Sequence, residues 1–91
     1  MEDARHHLIK KLLYLSHHRG MKETDVLMGA FADANLAKMS LTELQGWERL
    51  LQENDNHIMD WLLDRKSCPQ NSYTGMLERL YEFVKKRGNQ S

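Results

Sequence analysis

Apolar residues recur at intervals of three and four along most of the chain, which is the spacing of one buried face of an α-helix. The first such stripe consists of Leu8, Leu12 and Leu15, with Ile9 and Leu13 beside it. It predicts a helix from about Ala4 to His18. We expect Gly20 to end this helix, because glycine adopts the left-handed conformation at little cost.

A second helix is predicted from about Met21 to Ala37, since Glu23 and Asp25 suit the positive end of a helix dipole. Gly29 lies within this helix, where it either lets a neighbour pack closely or allows a kink. The buried face is expected to consist of Leu27, Ala30, Phe31 and Ala34, with Val26 at its flank.

Three more helices are predicted in the second half of the chain. Ser40 and Glu43 have the spacing of a capping box, which predicts a helix from Leu41 to about Glu53. A short fourth helix then extends to about residue 64. The expected caps are Asn54 or Asp55 for the fourth helix and Asn71 or Ser72 for the fifth. The expected inward residues are Leu44, Trp47, Leu51, Ile58, Trp61, Leu62, Leu77, Leu80 and Val84.

A loop over residues 65–72, marked by Cys68-Pro69, separates the fourth helix from a last helix over about 73–87, which Gly88 ends. No segment alternates polar and apolar residues as a strand would. The chain has 91 residues, which is enough for one domain. The sequence therefore predicts an all-α fold: a compact single-domain bundle of about five short helices over residues 1–91.

Three features of the sequence indicate the cellular compartment of the protein. No apolar run approaches the roughly 20 residues that span a bilayer, so no membrane insertion is expected. The first residues lack the apolar stretch of a secretory signal, and Cys68 is the only cysteine. These features predict a cytoplasmic protein without an internal disulfide.

Charge is unevenly distributed along the chain, although the formal net charge is zero. Residues 1–22 carry five basic and two acidic groups, residues 23–64 two and nine, and residues 65–91 six and two. Such asymmetry suits orientation on a partner protein. Nucleic-acid binding is not expected, because the domain is not basic. The helix after Gly20, which would enter the DNA groove, carries several acidic residues that the phosphates would repel.

Catalytic and metal chemistry have little support in the sequence. The histidines of the two adjacent pairs, His6-His7 and His17-His18, point about 100° apart on a helix and cannot chelate together. Cys68 has no base placed beside it by sequence. We therefore expect no catalytic residue, no metal and no cofactor held by this chain, and the acidic side chains are expected to form a solvated face.

The segment Arg19-Gly20-Met21-Lys22-Glu23 stands at the first helix junction. Its simplest interpretation is structural: Arg19 ends one helix, Gly20 turns the chain, and Glu23 begins the next helix. An ion pair between Arg19 and Glu23 across the turn is one possibility that the spacing leaves open.

The longer run from Leu12 to Asp33, LLYLSHHRGMKETDVLMGAFAD, resembles the SdhE family of FAD assembly factors for succinate dehydrogenase. The family's signature is R-G-x-x-E at the first helix junction, followed by an acidic residue, an aliphatic pair and a phenylalanine. Similarity continues through Glu43-Leu44, Asn54-Asp55 and Trp61-Leu62, and covers about residues 8–64. Lys22 adds a charge at the motif centre, where family members often carry leucine or threonine.

The resemblance implies an assembly factor that is not itself an enzyme. It would bind the flavoprotein subunit of succinate dehydrogenase, and in bacteria also that of fumarate reductase, and promote covalent attachment of FAD to a histidine there. FAD would then belong to the partner, and this chain would act as a monomer in the complex. Eukaryotic relatives would work in the mitochondrial matrix.

The resemblance also implies that the R-G-x-x-E face is the docking surface. Arg19 would anchor the partner by pairing with a carboxylate, and Gly20 would let the two backbones approach. Glu23 would fix Arg19 or accept a hydrogen bond, with Asp25 in support. Met21, Leu27 and Phe31 complete the expected patch, although Leu27 and Phe31 would serve equally well in the core.

This scheme requires that Arg19 and Glu23 both present their charged groups to solvent. Two other classes of function stay open on the sequence. One is a regulatory or antitoxin-like protein-binding module, and the other is a small acid–base or metal enzyme.

Overall fold

The computed structural model describes residues 4–67 and 74–88, and within them it contains five α-helices, one 3-10 helix and no strand. The elements are α1 Ala4–His17, α2 Lys22–Asn35, the 3-10 helix Leu36–Lys38, α3 Leu41–Leu51, α4 Asp55–Leu62 and α5 Thr74–Gly88. The all-α prediction is confirmed. Cys68, Asn71 and Ser72 lie outside the described residues.

Side-chain caps define where α3 and α4 begin. The Glu43 backbone N–H donates to the Ser40 hydroxyl at 3.2 Å, while the Ser40 N–H donates to Glu43 Oε1 at 2.8 Å. The capping box is therefore confirmed. Asn54 caps α4, because its side chain accepts from the Asn56 N–H at 2.7 Å.

The core is built around Trp47 of α3, which is completely buried. Phe31 stacks on its ring with the centroids 4.6 Å apart, and Phe83 of α5 meets Phe31 edge-on at 5.4 Å. Side chains from all five helices join one cluster of buried apolar residues. The predicted inward residues of α3 are all buried, whereas Trp61 of α4 and Val84 of α5 are only partly so.

The buried face of α2 differs from the prediction. Its buried residues are Thr24, Met28, Gly29, Phe31 and Ala32, so that of the predicted face only Phe31 is fully buried. Leu27 and Ala30 are half-buried, whereas Val26 and Ala34 are exposed. Thr24 can face inward because its hydroxyl donates to the Met21 carbonyl at 3.0 Å, which satisfies the polar group locally.

Neither Gly20 nor Gly29 adopts the left-handed backbone conformation. Among the described glycines none has a positive φ, so the prediction that Gly20 adopts the left-handed conformation is wrong. That conformation occurs at Asp64, just after α4, with φ of 61°. A Cβ on Gly29 would lie 2.5 Å from Nδ1 of His17, so Gly29 lets α1 and α2 pack closely, which confirms one of the two predicted roles.

The N-terminal part of α1 is tied to the 3-10 helix that follows α2. The Arg5 guanidinium donates to the carbonyls of Ala37 and Met39, each at 2.8 Å. Together with the Gly29 contact, this arrangement fixes α1 along α2. No helix within residues 4–67 and 74–88 is long and apolar enough to cross a membrane.

Candidate functional site: the junction of α1 and α2

The Arg19 side chain turns inward from the junction of α1 and α2. Its Nε donates to Asp55 Oδ1 at 2.8 Å, and Nη2 lies 2.8 Å from the same oxygen. Nη2 also donates to the Glu53 carbonyl at 2.7 Å, and Nη1 donates to the Leu51 carbonyl. The guanidinium therefore bonds both to backbone carbonyls at and just after the end of α3 and to the carboxylate of the first residue of α4.

The second oxygen of the Asp55 carboxylate holds the junction backbone. Oδ2 accepts the Gly20 N–H at 2.8 Å and the Met21 N–H at 3.1 Å. Asp55 is the first residue of α4, and the cap formed by Asn54 determines where this helix begins. One carboxylate thus binds both the side chain of Arg19 and the two peptide groups that follow it.

The Arg19–Asp55 pair is largely shielded from water. The two side chains are 10% and 13% exposed, respectively. A charge-assisted pair whose remaining donors and acceptors are also bonded is the geometry in which a buried ion pair is tolerated. The pair joins two helix junctions that are 36 residues apart in sequence.

This geometry corrects the expected exposure of the motif. The prediction that Arg19 and Glu23 both face solvent is wrong for Arg19 and confirmed for Glu23. An Arg19–Glu23 pair does not form, because Asp55 takes the guanidinium. Phe31 is 2% exposed and belongs to the core, so it cannot form part of a surface patch in this structure.

The other predicted site residues surround the junction. Gly20 is exposed, and a Cβ added to it would lie 3.1 Å from Asp55 Oδ2, which is tighter than most contacts of this kind. Asp25 is half-buried and its Oδ1 accepts the Arg19 backbone N–H, so it closes the turn and does not support an Arg19–Glu23 pair as expected. Met21 is half-buried and packs against the core.

An open apolar groove lies beside Glu23. It is lined by Lys22, Glu23, Val26, Leu27 and Met59. Val26 is 50% exposed, although it is a large aliphatic residue. We call Gly20 together with the groove residues the junction surface. It presents two opposite charges, Lys22 and Glu23, next to an apolar depression.

The junction residue that the sequence did not identify is Asp55. The sequence indicated it only as a helix cap and as part of an Asn-Asp pair within the resemblance. Its partners lie 34 to 36 residues earlier in the chain, and local spacing carries no information on such a contact. The cap signal did locate α4 correctly, which places Asp55 at the junction.

In the part of the chain that the structure describes, no group of three or more His, Cys, Asp or Glu side chains could hold a metal ion. The junction surface offers hydrogen bonding and charge from Glu23 and Lys22, and apolar contact from Val26 and Leu27.

Known proteins resemble this chain over most of its length. The profile of the family Sdh5, described as flavinator of succinate dehydrogenase, matches residues 10–84. This span contains α2, α3 and α4 entirely, together with Arg19, Glu23 and Asp55.

Individual relatives agree with the profile. A mitochondrial succinate dehydrogenase assembly factor 2 of Dictyostelium discoideum is 38% identical over 78 residues, which cover 86% of this chain and 55% of that protein. FAD assembly factor SdhE of Acetobacter pasteurianus is 38% identical over 73 residues, covering 80% and 67%. Succinate dehydrogenase assembly factor 2 of Caenorhabditis elegans is 40% identical over 81 residues, covering 84% and 63%.

The chain spans between about half and two thirds of the lengths of these three relatives. The profile match nevertheless covers both helix junctions and most of the core. The chain therefore belongs to the Sdh5 family, the flavinator family of succinate dehydrogenase.

Proposed function

We propose that this protein binds the flavoprotein subunit of succinate dehydrogenase and promotes the covalent attachment of FAD to it. The observation that carries the proposal is the family match over residues 10–84, which includes the whole junction surface. The relatives are named as assembly factors of succinate dehydrogenase or of FAD, which supports the same role.

The junction surface is the proposed contact for the flavoprotein. Glu23 is exposed on the first turn of α2, where its carboxylate is free to accept hydrogen bonds from a partner. Gly20 next to it carries no side chain, so a partner backbone can approach the turn. Val26 and Leu27 offer apolar contact beside these polar groups.

The flavin is proposed to be held by the partner and not by this chain. The Arg19 guanidinium is the cation of the motif, and its Nε and both terminal nitrogens already donate to Asp55, Leu51 and Glu53. It is therefore poorly placed to bind the phosphates of FAD. We propose that the protein is not an enzyme and acts by binding the conformation of the flavoprotein in which the acceptor histidine meets the flavin.

The same surface is proposed to serve the flavoprotein of fumarate reductase where an organism has one. This extension rests on the resemblance of the R-G-x-x-E motif. The chain is proposed to act as a monomer within either complex and to work in the cytoplasm of a bacterium.

A reconstituted flavinylation assay tests the proposal. The flavoprotein subunit is produced without covalent flavin, incubated with FAD and this protein, and denatured. Covalent flavin is then read as in-gel fluorescence of the flavoprotein band. We expect this protein to raise that fluorescence strongly above the level seen with FAD alone.

Two glutamate variants locate the effect on the surface. Glu23→Ala removes the exposed carboxylate of the junction surface and should lower flavinylation and co-purification with the flavoprotein. Glu48→Ala is the matched control, because it removes a carboxylate that pairs with Lys11 on another face. Equal flavinylation with and without the protein, or capture of an unrelated protein in place of the flavoprotein, would show the proposal to be wrong.

A further inference from the structure

The polar side chains of the motif divide into an internal and an external group. Arg19 is 10% exposed and each of its three guanidinium nitrogens donates within the chain, whereas Glu23 is exposed. A residue whose charged group is already satisfied inside the fold contributes little to a partner directly. Any effect of Arg19 on docking must therefore be exerted through the residues that Arg19 holds in place.

Arg19 binds the Asp55 carboxylate, and this carboxylate also binds the backbone of the turn between α1 and α2. Oδ1 receives the guanidinium, while Oδ2 receives the N–H groups of Gly20 and Met21 at 2.8 and 3.1 Å. These two peptide groups immediately precede α2, whose first turn carries Lys22 and Glu23.

Asp55 is one of three residues whose side chains bond to the turn that leads into α2. Met21 is the N-cap residue of this helix, and it makes no side-chain capping bond. The first bonds are those of the Asp55 carboxylate to the N–H groups of Gly20 and Met21. The others are the bond of the Asp25 carboxylate to the Arg19 N–H and that of the Thr24 hydroxyl to the Met21 carbonyl. Of these three residues, only Asp55 lies outside α2.

From this network we propose that Asp55 is a positioning residue for flavoprotein docking, and that Arg19 acts through it rather than by touching the partner. The Arg19–Asp55 pair holds the backbone of residues 20 and 21 against α4. It thereby sets the position of Glu23 relative to Met59, the α4 residue that lines the groove. This inference rests on the proposed function and adds to the motif a residue that lies outside it.

A double-mutant cycle on affinity separates positioning from direct contact. The dissociation constant for the flavoprotein subunit with noncovalent FAD is measured by titration calorimetry for wild type, Arg19→Ala, Asp55→Ala and the double variant. We expect each single variant to bind about tenfold more weakly, and the double variant no more weakly than the weaker single one. If the two losses multiply instead, Arg19 contacts the partner itself and the proposal is wrong.

Two control variants exclude a general effect of stability or charge. Asp60→Ala removes a carboxylate of the same helix that pairs with Arg65, away from the junction. Ser16→Ala lowers the stability of the core without touching the junction. All titrations are run well below the melting temperature of every variant. Both controls should bind like wild type, and an equal loss of affinity in Ser16→Ala would overturn the positioning role.

A second measurement needs no partner and therefore remains decisive if the proposed function fails. Amide hydrogen exchange of Gly20 and Met21 is followed by NMR in wild type, Asp55→Ala and Asp60→Ala. Loss of one hydrogen bond per amide should speed exchange by about fivefold to tenfold in Asp55→Ala only. Unchanged exchange would show that Asp55 does not hold the turn. Absence of flavoprotein binding by wild type would instead refute the function.

Discussion

Trp47 Nε1 donates a 2.9 Å hydrogen bond to the hydroxyl of Ser16 in the centre of the core. The same hydroxyl donates to the Leu12 carbonyl one turn earlier in α1. Ser16 and Trp47 are both completely buried, and they belong to different helices. This pair is a fixed polar link between α1 and α3, next to the helix end from which Arg19 emerges.

Ser16→Ala should destabilise the protein, because it leaves the buried indole N–H without an acceptor. We expect a loss of about 1–3 kcal/mol in the free energy of unfolding, which a small gain in helix propensity offsets only in part. Urea denaturation measures the change. In a Trp47→Phe background the indole N–H is absent, so the same serine substitution should cost much less; an equal cost in both backgrounds would contradict the role of this bond.

Arg19→Ala should destabilise the fold as well as weaken docking. Removing one member of a buried ion pair typically costs 3–5 kcal/mol, and we expect about 3 because Asp55 keeps its bonds to two backbone amides. The matched control is Lys11→Ala in the exposed pair with Glu48, which should cost about 0–1 kcal/mol. Equal costs in urea denaturation would mean that Arg19 is not held as the structure shows.

Local signals in the sequence predicted the helices of this fold well. Ser40 and Glu43 define the start of α3, and their capping box depends only on residues three positions apart. The inward residues of α3 followed from a regular apolar period on an otherwise polar helix. Elements with strong local patterns are therefore placed correctly from sequence alone.

The face of α2 and the role of Arg19 were not predictable in the same way. α2 carries apolar residues on most of its circumference, so the period does not select one face. Thr24 is buried at the start of this helix because its hydroxyl bonds locally to Met21. The Arg19–Asp55 contact joins residues 36 apart, and only the packing of α4 against the junction brings the two charges together.

Gly29 and His17 provide a test of the close contact between α1 and α2. An alanine Cβ at position 29 would lie 2.5 Å from the His17 ring, which must then move and give up its 2.9 Å bond to Asp33. In a His17→Ala background Gly29→Ala should stabilise the protein by about 1 kcal/mol through helix propensity. In wild type the displaced ring should cancel part of this gain. Thermal denaturation of the four variants checks the difference, and an identical gain in both backgrounds would contradict it.

The Glu43 carboxylate makes the stability of α3 depend on pH. The Ser40 backbone N–H holds the pKa of the Glu43 carboxyl below its ordinary 4.5, with smaller support from the Ser40 hydroxyl and Arg79. Because the pKa is lower in the folded state, this contribution is complete above about pH 5 and disappears as the pH falls through the folded value. The stability difference between wild type and Glu43→Gln should therefore shrink below pH 4.5.

An NMR titration of the Glu43 side chain separates the two causes of this shift. Arg79 donates to Glu43 Oε2 at 2.8 Å, but both side chains of this pair are more than 40% exposed, so solvent screens the attraction. In Arg79→Ala we expect the pKa of Glu43 to stay below 4.5, since the Ser40 N–H still donates to it. A pKa that returns to its ordinary value in Arg79→Ala would assign the shift to the ion pair, and the capping box would then not be the source of the acid sensitivity.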